Sequence, residues 1–388
     1  MSESFIPLSV PNLKGNELAY VTNAVQTEWV STGGPYVNEF EEKIASYVHA
    51  KGAVSCQNGT AGLHISLLLT GVTREDAVIV PTLTFIAAVN PVRYIGATPI
   101  FMDCDDSLCM DPKKLRRFCE EECDYNNRKL IERQTGRQIK AIVVVHVFGN
   151  MADMEAITEI AADYQLKVIE DATEALGTYY IKGKFQGCYA GTIGDIGVYS
   201  FNGNKIITTG GGGMIVSNQV DYLEHARHLT TQAKSDELYY THDEIGYNYR
   251  MTNLQAALGL AQLEQIEDFI SIKANNYKIY QEAFYNSEKL TVLKVRENTR
   301  WNSWFYALFC REGIEIRDTL IHELKRRKIQ TRPIWGLIHD QLPYQGSRTY
   351  QIERATFYMD HIVNIPCSSN LQTEDINHVI MEIKSVVS

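Results

Sequence analysis

The sequence predicts an α/β chain in which a large unit with a mostly parallel central sheet is followed by a smaller α+β unit. Three observations carry this. Short runs rich in β-branched residues alternate with helical patterns from about Gly52 to Ser217. Several runs, such as the IVVV stretch within 141–149, are apolar at every position, as strands covered on both faces are. A long helical pattern then opens near Thr252 and gives way to segments of a different rhythm.

In chain order, strands are expected over 53–56, 77–80, 99–103, 139–147, 167–170, 197–201 and 213–217. Helices fit between them at 60–69, 85–94, 112–121 and 154–164. The polar stretch 123–137 interrupts the alternation and reads as an exposed excursion. From Thr252 onward, Leu254, Ala257, Leu258, Ala261, Ile266, Phe269 and Ile270 keep helical spacing and predict one long bridging helix. Beyond it, WFYALFC at 304–310 reads as a strand, and 318–327 and 374–387 as helices. The expected division is residues 1–265, a large domain with an N-terminal arm, and residues 266–388, a smaller C-terminal domain. No internal repeat is visible.

Composition narrows the function classes. A chain of 388 residues with 45% hydrophobic and 22% charged residues has enough apolar matter for a packed core. Its net charge of −10 repels phosphate backbones, and no basic patch offsets it, so nucleic acid is not an expected partner. The N-terminus lacks a basic, apolar leader and no apolar stretch is long enough to span a bilayer, so a cytoplasmic protein with no membrane partner is expected. The eight cysteines are scattered and read as reduced thiols. Cys119 and Cys123 share a helical spacing, but no second ligand pair accompanies them, and no metal site is expected. The motifs of P-loop nucleotidases, Rossmann dehydrogenases, serine hydrolases and zinc peptidases are missing.

What remains is a set of polar and glycine-rich segments at strand ends, where open α/β sheets bind ligands. QNGTAGLH (57–64) joins a strand to a helix. Gly59 permits close approach of an anion, Thr60 offers a hydroxyl, and the first-turn N–H groups complete a phosphate cradle; the same residues also suit an ordinary capped helix start. VIEDATEALG (168–177) ends an apolar strand in Glu170 and Asp171. A buried carboxylate there requires a cation or several donors, which a salt bridge or a helix cap could equally satisfy. YSFNGNKIITTGGGGMIVS (199–217) places Lys205 between a strand and four glycines. A desolvated amine there is a nucleophile toward aldehydes, whereas a solvated one is only a surface charge. Together the segments supply what pyridoxal 5'-phosphate (PLP) requires. Lys205 offers an amine for the aldehyde and Asp171 an acid for the ring nitrogen. The Thr60 turn with Ser200 offers a phosphate cradle, and Phe85 a flat face.

These motifs, with VPTLTFIAAVNPVRYIGATPIFMDCD, GYNYRMTNLQAALGLAQLE and RPIW followed by His339, make the chain resemble, nearly end to end, the DegT/StrS-type nucleotide-sugar aminotransferases. The resemblance implies the aspartate-aminotransferase fold, PLP fold type I, with Lys205 holding the cofactor and shuttling the proton. It implies Asp171 at the ring nitrogen and Phe85 stacked on the ring. Thr60, Ala61 and Ser200 would bind the phosphate, and Glu174 would lie beside the cofactor. Asn248 would reach the phosphate of a neighbouring subunit, making the active site a property of a homodimer. Within the family, TLTFIAAVN, MDCD, EDATEAL and SFNGNKIITTGGGG are similar to enzymes that aminate UDP-linked 4-keto-6-deoxy-N-acetylhexosamines on the way to bacillosamine or legionaminic acid. Glutamate would donate nitrogen and leave as 2-oxoglutarate. For the diphosphate sugar, STGGPY (31–36) and the segment from Arg332 to His339 are candidate contacts, although His339 suits a packed, hydrogen-bonded histidine equally. Amination at the 3-position, dehydration on the same cofactor, and a non-catalytic sensor are the competing readings; Lys205 with Asp171 argues against the last.

Overall fold

The apolar runs become the interior of one ten-stranded sheet in the computed structural model, which describes residues 5–236 and 238–387. In chain order its strands are β1 (Gly52–Cys56), β2 (Ala77–Pro81), β3 (Thr98–Met102), β4 (Cys123–Asn126), β5 (Lys129–Glu132), β6 (Gln138–Val145), β7 (Lys167–Asp171), β8 (Ile196–Ser200), β9 (Gly213–Ser217) and β10 (Arg348–Tyr350). The main path runs β1-β9-β8-β7-β6-β2-β3-β10. From β8 to β10 every neighbouring pair is parallel; β1 and β9 close the other edge antiparallel. Helices cover the sheet and bury its central strands: β2 is buried at every position. That is why these strands read as continuous apolar runs and show no alternation. The carboxyl ends of β6, β7 and β8 therefore lie side by side.

The expected strands all form, with ends shifted by a residue or two. Three segments differ from expectation. Residues 85–94 do not make one helix: a 3-10 turn, Ile86–Ala88, is followed by a separate helix, Asn90–Tyr94, with Pro91 in its first turn. Proline is tolerated in a first turn, where its missing N–H would have no partner, but inside a continuous 85–94 helix Pro91 would have no N–H to give the Ala87 carbonyl. The stretch 123–137 is not a free excursion. It folds as the β4-β5 hairpin, and β5 pairs antiparallel with β6. Leu130 and Glu132 are fully buried, and the Glu132 carboxylate accepts the amides of Gln134 and Thr135. The bridging helix is two helices, Asn253–Leu263 and Ile266–Phe284. The Gln265 side chain at the break donates to Glu17 Oε1 at 3.0 Å, tying the junction to the N-terminal helix Glu17–Gln26.

The C-terminal part carries a four-stranded antiparallel sheet of Leu290–Val292, Tyr306–Cys310, Ile362–Ile365 and Arg332–Pro333. The 304–310 strand begins only at Tyr306, because Ser303 turns the chain at φ 57° and leaves Trp304 and Phe305 ahead of the ladder. One continuous apolar core runs through both parts, and β10, from the C-terminal segment, extends the large sheet. Among the described residues no helix is long and apolar enough to cross a membrane.

Candidate active site

A cavity of about 260 Å³ opens at the carboxyl ends of β6–β8, where parallel sheets place ligands. Six of the sequence-predicted residues line it: Thr60, Phe85, Asp171, Glu174, Ser200 and Lys205.

The helix Gly59–Leu69 starts at the cavity wall. Asn58 caps it, its Oδ1 accepting the Ala61 N–H at 2.8 Å. Gly59 and Thr60 line the cavity, and their N–H groups, like those of any first turn, lack intrahelical acceptors. Glycine at 59 is a packing requirement. A Cβ there would lie 2.8 Å from Thr173 Cγ2 and 3.2 Å from Ser200 Cβ, so its absence lets three strand ends converge on one spot. Gly213 does the same from β9: a Cβ would strike the Asn58 carbonyl carbon at 2.6 Å.

Asp171 ends β7, and its carboxylate is buried with Thr173 as its hydrogen-bonded neighbour, the Thr173 N–H donating at 3.1 Å. Burial raises its pKa against the pull of Thr173, Lys205 and His146. Glu174 is also buried, and burial pushes it up to about 7 despite the nearby Lys205. One Glu174 oxygen accepts the Phe148 N–H at 2.8 Å; the other stands 3.4 Å from Lys205 Nζ. Phe148 reaches that position through a left-handed backbone, φ 55°. Lys205 follows a turn closed by its own N–H on the Asn202 carbonyl, and its side chain is only 13% exposed. Its ammonium sits 4.2 Å from the centre of the Trp304 ring, which is fixed by an indole N–H bond to the Asn204 carbonyl at 2.7 Å. The amine is thus withdrawn from solvent and aimed into the cavity.

The remaining predicted residues lie elsewhere. Ala61 is buried one residue behind the wall, its N–H given to Asn58. Asn248 is exposed, bridged to Thr231. Arg332 is exposed on its short edge strand. His339 packs under the sheet end with Nδ1 2.6 Å from Thr82 Oγ1. Sequence reasoning missed Trp304, Trp335, Thr84, Thr173, Asn202 and Asn204, which also line the cavity. Trp335 stands inside the RPIW motif, and Trp304 is the aromatic residue just ahead of a buried strand. Those were the available signals, but only the tertiary fold brings both rings to the cavity that Lys205 enters.

The donor set fits PLP. An amine, a buried carboxylate short of a cation, and an amide-rich helix start share one cavity. The chain matches the model of the DegT/DnrJ/EryC1/StrS aminotransferase family over residues 11–384.

The chain belongs to that family. It is similar to GDP-perosamine synthase of Escherichia coli O157:H7, 38% identical over 385 residues covering 99% of each chain. It is similar also to GDP-perosamine synthase of Caulobacter vibrioides, 36% identical with 98% of each chain covered. Among solved structures, a DegT DnrJ EryC1 StrS aminotransferase from Brucella abortus superposes with a TM-score of 0.86 at 26% identity, covering 95% of each chain. The protein is a PLP-dependent sugar aminotransferase.

Proposed function

We propose that this aminotransferase moves the amino group of glutamate to the 4-keto carbon of a UDP-linked 4-keto-6-deoxy-N-acetylhexosamine. The product is a UDP-4-amino sugar for bacterial surface glycan or nonulosonic acid synthesis. The observation that carries amino transfer is the convergence of Lys205, Glu174 and Asp171 on one cavity. When bound, PLP supplies an aldehyde that accepts nitrogen and a ring that withdraws electrons from the carbon losing its proton. Lys205 Nζ would take that proton and deliver it to the carbon on the far side of the transferred nitrogen, a 1,3 shift, while Glu174 steadies Nζ from the side. Asp171 keeps the ring nitrogen protonated, the cation its burial demands. Thr60 and Ser200 would hold the phosphate, whereas the Ala61 N–H is already given to Asn58, and Phe85, 55% exposed at the cavity mouth, would stack on the ring face. Asn248 points to a homodimer, in which it completes the phosphate site of the second copy. Arg332, exposed three residues before Trp335, offers a cation to the sugar diphosphate. His339, fixed by Thr82, orders the same segment.

A GDP-linked 4-keto-6-deoxy sugar is the second reading, favoured by the names of the two relatives above. Turnover with glutamate against UDP- and GDP-linked 4-keto sugars and a 3-keto nucleotide sugar, with product structures determined, separates the readings. Nitrogen at C4 of the UDP sugar is expected, and Lys205→Ala should abolish turnover. Nitrogen at C3, a dehydrated product, or normal turnover by Lys205→Ala would overturn the proposal. Preference for the GDP sugar would transfer it to the second reading.

A further inference from the structure

The helix Val220–Thr230 places His225 and His228 three residues apart, hence on one face. The chain then turns and comes back along that helix end. The Tyr247 N–H donates to the Leu229 carbonyl at 2.7 Å and the Tyr249 N–H to the Thr230 carbonyl at 3.0 Å. This return brings Asp243 and Glu244 opposite the two imidazoles. His225 Nε2 lies 2.7 Å from Glu244 Oε1, and His228 Nε2 lies 2.7 Å from Asp243 Oδ1 and 3.6 Å from Glu244 Oε1. One ligand atom from each of His228, Asp243 and Glu244 falls within 4.8 Å of the other two.

We infer that His228, Asp243 and Glu244 form the core of a binding site for a divalent transition-metal ion, of which Zn²⁺ is the reference, and that His225, held on Glu244, swings in as the fourth ligand. Two imidazole nitrogens and two carboxylate oxygens are the donor set of such ions, whereas magnesium and calcium prefer oxygen alone. The spacing also suits an ion. Donors bonded at about 2.0–2.2 Å around a tetrahedral centre stand roughly 3.3–3.6 Å apart; His228 Nε2 and Glu244 Oε1 already stand 3.6 Å apart, and the two 2.7 Å pairs, now at hydrogen-bond distance, open to that spacing when an ion displaces the shared protons. Both imidazoles project through Nε2, and the partly exposed carboxylates leave an entry path. The two halves come from different elements, so the ion fastens the 241–249 return to the helix. None of the four residues lines the active-site cavity, so the inference is independent of the substrate.

The test is calorimetric titration of the chelator-washed, PLP-loaded full chain with Zn²⁺, and Co²⁺ absorption as a report of ligand type. One equivalent is expected to bind with a nitrogen and oxygen spectrum free of thiolate bands. Affinity should fall at least tenfold in His225→Ala/His228→Ala, and likewise in Asp243→Asn/Glu244→Gln, which keeps side-chain size and guards against a misfolded histidine variant. Unchanged affinity in both variants, a thiolate spectrum, or no uptake by the wild-type chain overturns the inference.

Discussion

Glu170 and Asp171 are adjacent carboxylates with opposite surroundings, because successive side chains on a strand face opposite sides. Glu170 accepts the amides of Gly191, Ile193 and Gly194 and lies 2.9 Å from His146 Nε2. The His146 Nδ1 accepts the Ala152 N–H, so Nε2 carries the proton and donates it. Glu170 is therefore satisfied by protein, while Asp171 accepts the Thr173 N–H and faces the cavity. Glu174 permits a sharper expectation. Its folded pKa, about 7, lies above its ordinary 4.5, so the folded chain holds a proton that the unfolded chain has lost. Between those values the stability of the cofactor-free protein should decline as pH rises, and the cost is complete above the folded value. Glu174→Gln should remove this decline and exceed the wild type by up to about 3 kcal/mol in alkaline solution. Urea midpoints at about pH 5 and about pH 8 check this; a parallel decline in the variant would exclude Glu174 as its source.

At the scale of elements, the helix Asn253–Leu263 begins with a complete capping box. Gln255 Oε1 accepts the Thr252 N–H at 3.0 Å, and Thr252 Oγ1 accepts the Gln255 N–H at 3.3 Å. The Gln255 side-chain amide also donates to the Gly211 carbonyl, so the cap holds the glycine run that follows Lys205. Thr252→Ala is expected to cost about 1 kcal/mol. The midpoint should move at constant denaturant slope; an unchanged midpoint would mean that the box contributes nothing. The capping residues were legible in the sequence. The break at Gln265 was not, because the apolar spacing continues across it and the turn is fixed by Glu17, far away in the chain. The β4-β5 hairpin was hidden for a related reason: most of its polar residues face solvent, and its three buried positions, Cys123, Leu130 and the polar Glu132, are too few and too mixed to set a period.

For the whole molecule, the arm that ends at Asn248 carries the largest exposed apolar side chains of its region. Leu238, Tyr239, Tyr240 and Ile245 are each more than 70% exposed, an arrangement suited to a protein partner. The proposed sharing of sites between two copies predicts complementation. Lys205→Ala and Asn248→Asp should each be inactive alone. After mixed refolding, one intact site per mixed dimer should restore roughly a quarter of wild-type activity. Mixtures that stay inactive although mixed dimers form would count against Asn248 acting across the interface.

The sequence by itself determined the α/β class, the order of the parallel strands' segments, and six of the residues that line the cavity. Those signals are local: apolar runs, a helix cap, a lysine before glycines. Only the tertiary structure decided that Trp304 and Trp335 wall the cavity, that β10 extends the large sheet, and that two histidines meet two carboxylates. Each of these joins segments remote from one another along the chain, and such contacts arise from packing, which leaves no periodicity to read.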